Sequence, residues 1–338
     1  DIVVACAVGH LFTVTEDSKE KWTYPIFDVK WEESAKVSKD AAFTKKYSSV
    51  IKKLAKDAKE FTVATDYDIE GEVIGYCVVK YLCKQDDANR MKFSALTKQD
   101  LIKAYENKAK TLNWPQVNAG TTRHELDWYY GINLSRALSQ AVKKAGRFKI
   151  LSSGRVQGPA LKILCDKERS INDFKSTPYW DLTLHKKIES GKIEAEYAKN
   201  PVEKEEDAKA VLDKTNGKDA IVDKITKRQF KQEPPNPFDL TSIQMESYRL
   251  FGIAPKDTLS LLQELYVAGW TSYPRTSSQK LPKELGYANI LKQLARNEKY
   301  AKVVNELLEI DNKKGLTPND GKKEDDAHPA IYPTGIKP

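Results

Sequence analysis

Apolar positions change their spacing several times along the chain, and each change predicts a different kind of element. From DIVVACAV to YPIFDVKW (residues 1–31) they come in short β-rich runs bounded by turn residues, which predicts strands. AAFTKKYSSVIKKLAKDA (41–58) then shows helical spacing. The strand FTVAT (61–65), an acidic turn and the helix EGEVIGYCVVKYLC (70–83) follow, an order typical of an α/β domain with parallel strands. Two further helical stretches, RHELDWYYGINLSRALSQAVKKAG (123–146) and SSGRVQGPALKILCDKE (152–168), start or end on glycine. Between Pro178 and Lys231 the pattern turns to alternation in YWDLTLHKKI, KIEAEYAK and DAIVDKITKRQF, which predicts strands of a separate layer. The proline-rich EPPNPFD is read as a hinge, SIQMESYRLFG and PKDTLSLLQELYVAG as a helix pair, and LTPNDGKKEDDAHP as a loop. No internal repeat interrupts this order.

The 338 residues exceed what one compact core usually holds, so more than one domain is expected. With 40% hydrophobic and 31% charged residues the composition is that of a folded, water-soluble chain. The formal net charge of +8 favours an anionic partner, nucleic acid first. Cys6, Cys77, Cys83 and Cys165 form no C-x-x-C pair and read as buried thiols of a reducing, cytoplasmic compartment. The opening apolar run is too short to cross a membrane and has no basic segment before it. No G-x-x-x-x-G-K-[ST] loop is present, so nothing points to ATP.

Two short stretches carry the chemistry. In ATDYDIEGE, Asp66, Asp68 and Glu70 alternate on one side if the backbone is extended, and three carboxylates there suit Mg²⁺, which takes oxygen ligands. Helix capping explains one or two acids at such a turn, but not three; Glu72 is read as an ordinary helix residue. In GWTSYPRTSSQKLP, Tyr273 lies two residues before Arg275, whose planar fork binds phosphate oxygens in pairs. A tyrosine packed at a turn fits the spacing equally well, so spacing alone leaves nucleophile and core residue both open. Together with the acidic turn and the basic chain, Tyr273 suggests reversible attack on a DNA phosphate, storing the bond as phosphotyrosine.

The remaining candidates are weaker taken singly. His185 is expected on a surface, His10 either beside the acidic turn or in a plain turn, and His124 either against DNA or solvated on its helix. Arg123, Arg136 and Arg155 are either DNA contacts or partners of Glu125 and Asp127. Trp128, Tyr129, Tyr130 and Phe148 lie among them, an interleaving that suits single strands.

At this point the residues resemble the type IA DNA topoisomerases, most closely the archaeal branch. TDYDIEGE is similar to that family's D-x-D-x-E-G signature in its Toprim domain. RHELDWYYGINLSRA and SSGRVQGPAL resemble its helical DNA-binding segments, PFDLTSIQ its P-F-x-T-S-x-x-Q stretch, SYPRTSSQKLP its tyrosine motif, and DDAHPAIYPTG its A-H-P-A-I-x-P-T run. The resemblance implies a multidomain fold: an α/β Toprim domain (1–110), a helical DNA-binding segment (111–170), part of a β-rich arch (171–234) and a helical domain with the tyrosine (235–338). It implies an isomerase that makes a 5′-phosphotyrosine through Tyr273, with Arg275 and His328 at the phosphate and Asp66, Asp68 and Glu70 on Mg²⁺. Arg123, Asp127, Arg136, Arg155, Gln157, Thr241, Ser242 and Gln244 would belong to the DNA-binding groove. The implied partner is DNA, chiefly single-stranded or negatively supercoiled, and the expected state a monomer without a membrane role. The family's first Toprim strand, with a glutamate and a lysine, has no counterpart here, and the family extends past the A-H-P motif, so an internal piece of a longer protein is expected. Ser277 and Val267 stand where many bacterial members carry Asp and Glu.

Overall fold

The structure is a computed structural model that describes residues 2–17, 22–189 and 191–336, with the side chains of 310–314 left aside. Its contacts divide the chain into two compact units, Asp1–Arg155 with Glu233–Pro338, and Val156–Gln232.

The first unit begins with an antiparallel pair, β1 (Phe12–Glu16) and β2 (Val29–Glu33), in register Phe12↔Glu33 to Glu16↔Val29. A short helix α1 (Ser34–Val37) leads to α2 (Thr44–Ala55), which buries Thr44, Ser48 and Ile51 on one face. Next, β3 (Thr62–Val63) pairs in parallel with β4 (Asn89–Arg90), and α3 (Ile69–Cys77), extended by a π turn over Val78–Leu82, connects them. This is the expected strand, acidic turn, helix and parallel strand, and it forms the α/β part of the fold. Leu11, Phe12, Ile51, Val73, Cys77 and Leu82 make one buried cluster, and Val63, Val79, Ala88, Leu112 and Val117 a second, with Tyr76 of α3 packed against both. Helix α4 (Lys98–Glu106) is capped by Thr97, whose Oγ1 accepts from the Asp100 amide at 3.1 Å.

Helix α5 (Trp114–Lys144) is the long element of this unit, started by the Asn113 side-chain cap and Pro115 in its first turn. Gly120 lets it pass close to α3. A Cβ there would lie 2.3 Å from Val73 Cγ2 and 2.9 Å from Ile69 Cγ2, so only glycine permits the crossing. One turn further along α5, His124 therefore comes level with Glu70.

The second unit carries α6 (Gln157–Asn172), the hairpin β5 (Thr183–Ile188) and β6 (Gly191–Glu196), and α7 (Glu205–Thr215). Apolar side chains of α6 such as Leu161, Ile163 and Leu164 are exposed. The hairpin matches the alternation in the sequence, and His185 is exposed on it as expected. DAIVDKITKRQF (219–230) forms neither strand nor helix, however, and α7 takes a charged stretch not read as an element. Alternation marks a half-buried face only when a neighbouring strand supplies the ladder, and among the described residues none pairs with 219–230.

The chain then returns to the first unit. Helix α8 (Leu240–Phe251) starts with a reciprocal cap between Asp239 and Ser242 and ends on Gly252 at φ 67°, while α9 (Pro255–Val267) packs beside it. The last helices are α10 (Tyr287–Leu294) and α11 (Glu298–Lys314). Two expectations fail here. Residues 2–8 form no strand, and Ile2, Val3 and Val4 are exposed, because an apolar run becomes a strand only with a partner edge. Cys6 and Cys165 are exposed, and only Cys77 is fully buried, with its thiol pushed up to about 12 by burial. Among the described residues no helix is long and apolar enough to cross a membrane.

Candidate active site

Helix α9 stops at Gly269, whose φ of 76° turns the chain out of the helix into an extended stretch. That stretch is pinned from two sides. The Ser272 amide donates to the Tyr332 carbonyl at 2.9 Å, and the Tyr273 amide to the Ser94 carbonyl at 2.8 Å. Tyr273 is consequently fixed against the α/β part with only 2% of its surface exposed. Its hydroxyl donates to Asp68 Oδ2 at 2.5 Å. Burial, then Asp68 and Asp66, push the phenol well above its ordinary range, while Arg275 alone pulls the other way. The phenol is thus held protonated with a carboxylate ready to accept its proton.

The acidic turn explains why Asp68 is in place. Asp68 is extended (φ −131°, ψ 175°) and caps α3, its Oδ1 accepting from the Gly71 amide at 2.6 Å. Gly71 is required there, since a Cβ would lie 2.1 Å from the Asp66 carbonyl oxygen. Asp66 Oδ1 accepts from the Tyr266 hydroxyl at 2.8 Å, and the Tyr266 and Tyr273 rings meet edge to face at 5.2 Å. Burial holds the Asp66 carboxyl above its usual value; the Tyr266 bond opposes this and Asp68 adds to it. Helical rotation begins at Ile69, so Glu70 leaves the line of the other two acids. Its Oε2 lies 2.9 Å from His10 Nε2 and 3.0 Å from His124 Nε2, and its Oε1 3.3 Å from Arg123 Nη1. Burial alone would raise the Glu70 carboxyl, but His124, His10 and Arg123 carry it below the ordinary range; burial and His124 lower His10.

His328 stacks on Tyr273 with ring centroids 4.5 Å apart. Its Nε2 lies 3.1 Å from the Tyr67 carbonyl, which only accepts, so Nε2 carries the proton and Nδ1, at 2.9 Å, accepts from Ser94 Oγ. Burial lowers this imidazole to about 4, so it is neutral near pH 7. Asp325 anchors the segment by accepting from the amides of Ser277, Ala327 and His328. Arg275 is exposed and makes no hydrogen bond or ion pair among the described residues.

Other candidates separate by geometry. Arg123 and Arg155 are exposed and share Asp127, at 3.8 and 2.6 Å. Both line an open groove of about 430 Å³ with Asn118, Ala119, Thr122 and Leu126. Arg136 instead binds Glu16 with both Nη atoms (2.8 and 3.0 Å) and the Thr23 carbonyl, the pattern of a structural clamp. Ser242 is committed to the α8 cap, Gln244 donates to the Pro255 carbonyl at 3.0 Å, and Thr241 is exposed. Gln157 begins α6 of the second unit and is exposed. His124 is half-buried on its helix, engaged by Glu70 and Trp31.

Sequence reasoning missed three supports. Glu72 is not an ordinary helix residue: it is fully buried, its Oε2 2.6 Å from Arg90 Nε. The Arg90 guanidinium also donates to the carbonyls of Thr65 (2.8 Å), Asp66 (2.7 Å) and Met91 (2.9 Å), fastening the acidic turn to β4. Tyr266 is the third. No local signal marks these residues, because each is placed by a partner distant in sequence.

A family model described as DNA topoisomerase matches residues 111–338, and one described as Toprim domain matches 1–96. The chain is similar to proteins named DNA topoisomerase 1 from Pyrococcus horikoshii (45% identical, covering 100% of this chain and 49% of that protein) and Methanocaldococcus jannaschii (46%, covering 98% and 43%). It thus spans about half the length of these relatives. Full-length topoisomerase I from Thermotoga maritima shares the fold, with a TM-score of 0.64 at 24% identity over 96% of this chain and 50% of that one.

Proposed function

This chain belongs to the type IA DNA topoisomerase family, and from that footing we propose that it performs ATP-independent breakage and rejoining of one DNA strand through a 5′-phosphotyrosine at Tyr273. The observation that carries the reading is the 2.5 Å contact between the Tyr273 hydroxyl and Asp68 Oδ2, made across 205 residues of sequence. In the forward step the phenolic oxygen bonds to phosphorus and its proton passes to Asp68. The P–O3′ bond breaks and the leaving oxygen takes up a proton, so the reverse step restores both strand and phenol. Arg275, exposed beside Tyr273, offers its donors to the phosphate oxygens. Neutral His328 fixes the ring by stacking and presents no competing charge.

Tyr273 is 2% exposed, so a strand reaches it only when the surrounding cover opens. Arg123 and Arg155 over their groove suit a single-stranded backbone, with Asp127 orienting both guanidinium groups. Negatively supercoiled DNA, partly unpaired, is the proposed substrate in the cell interior, relaxed by passage of a second strand, and a monomer suffices. The crowded carboxylates of Asp66 and Asp68 are hard oxygen donors whose mutual repulsion a divalent cation relieves, which fits Mg²⁺ held by this pair, Glu70 being turned away from them by the helix. When bound, that ion supplies charge neutralisation at the phosphate.

The test is covalent capture on a 3′-labelled single-stranded oligonucleotide. A denaturation-resistant adduct that disappears in Tyr273→Phe, with binding retained, is expected. Cutting undiminished in Tyr273→Phe supports a Toprim nuclease instead, and binding without any adduct in the wild type supports a strand-binding segment.

A further inference from the structure

The histidine side of the acidic turn has a composition unlike the tyrosine side. His10 Nε2, His124 Nε2 and Glu70 Oε2 converge with all three atoms within 4.8 Å of one another. They come from three separate places: the loop before β1, the middle of α5, and the first turn of α3. Nothing in local helical spacing brings them together. The convergence depends on the α3–α5 crossing at Gly120 and on the Ser34 hydroxyl, which donates to the His10 carbonyl at 3.1 Å.

We propose that His10, Glu70 and His124 form a three-ligand site for a borderline divalent transition-metal ion, of which Zn²⁺ and Co²⁺ are the representatives, distinct in donor chemistry from the Asp66–Asp68 pair. Two imidazoles and one carboxylate are the donor set that such ions prefer and that Mg²⁺ does not. The Glu70 oxygen stands 2.9 and 3.0 Å from the two imidazole nitrogens. Ligands about 2.05 Å from a tetrahedral ion lie about 3.3 Å apart, so the two oxygen–nitrogen distances need to open by only a few tenths of an ångström, while the two nitrogens, within 4.8 Å of each other, adjust to the same spacing. Arg123 bonds the other oxygen, Oε1, and so orients the carboxylate as an outer partner orients a metal ligand. The side chains of His10, His124 and Glu70 are 32, 28 and 34% exposed, which leaves a way in and a coordination position open to water. The ion would tie the loop before β1 to α3 and α5. It needs no part of the DNA chemistry to be correct.

The experiment uses the full chain in a Cys6→Ser/Cys165→Ser background, which removes the exposed thiols, with millimolar Mg²⁺ throughout. Co²⁺ is titrated by calorimetry and by its visible absorption, and Zn²⁺ by the imidazole proton resonances. One equivalent of Co²⁺ with a tetrahedral or five-coordinate spectrum is expected, and Zn²⁺ should move the signals of two histidines out of the four. Affinity should fall at least about tenfold in His10→Ala and in His124→Ala, on the scale of lost ligand support, and stay unchanged in His185→Ala. The Zn²⁺ shifts in the unmutated histidines keep the test decisive should a variant lose its fold. Absence of stoichiometric binding, binding that survives removal of both histidines, or Zn²⁺ shifts at His185 and His328 instead would overturn the site and leave the cluster a hydrogen-bonded strut.

Discussion

Asp66 and Asp68 each accept a hydrogen bond from a buried tyrosine, whereas Glu70, two residues later, faces two imidazoles and a guanidinium. The three acids look equivalent as a string of letters. They diverge because the backbone changes state between them: Asp68 is extended and caps the helix, and Glu70 already turns with it. One signature thus serves two surroundings, a phenolic one suited to proton acceptance and a nitrogen-rich one suited to a softer ion.

The strongest way to break that comparison is to remove charge from each end. Asp68→Asn should slow adduct formation by about 10²–10⁴-fold, the usual worth of a general base, with Glu70→Gln costing at least about tenfold less; rapid-quench capture assays read both. Equal losses would mean that the two ends act as one site.

Next in size is the support that both ends share. Arg90→Ala leaves Glu72 buried without a partner and should cost about 3–5 kcal/mol of stability, seen as a lowered urea midpoint. A change below 1 kcal/mol, on the scale of an exposed pair, would show that the turn does not depend on this pair.

His328 sharpens the tyrosine side through pH. Its native value is lowered from 6.5 to about 4, so between these values the unfolded chain binds the proton and the native one does not. Its contribution is complete above pH 6.5 and is lost as pH falls towards 4, by about 3 kcal/mol in all at 1.36 kcal/mol for each unit. Urea titrations from pH 4 to 7 should show this slope, flattened in His328→Gln. A slope unaltered by that substitution would assign the acid sensitivity elsewhere.

The smallest effect belongs to the groove. Arg155→Ala should leave the thermal midpoint where it is and reduce the salt dependence of single-strand binding by about one unit of slope. An unchanged slope would remove Arg155 from the DNA path.

Much of this site was legible because its chemistry sits in short runs: TDYDIEGE and SYPRTSSQKLP each carry residue type and local geometry together. Glu72 escaped because an acid in the first turn of a helix is ordinarily solvated, and its burial depends on an arginine 18 residues away. His10 and His124 are 114 positions apart, and no pattern along the chain links them. In the fold, the parallel β3–β4 unit followed from strand, turn and helix in order, while 2–8 and 219–230 were misread as strands because pairing is a property of the neighbour and not of the run.

Arg90 grips its surroundings through main-chain oxygens of residues 65, 66 and 91, not through their side chains. This grip is indifferent to the side chains at 65 and 91, although the Thr65 hydroxyl adds its own bond to the Gly71 carbonyl at 2.8 Å. The geometry of the reacting carboxylates is thereby anchored from below by one buried ion pair, Arg90 with Glu72, whose loss no neighbouring main-chain bond replaces.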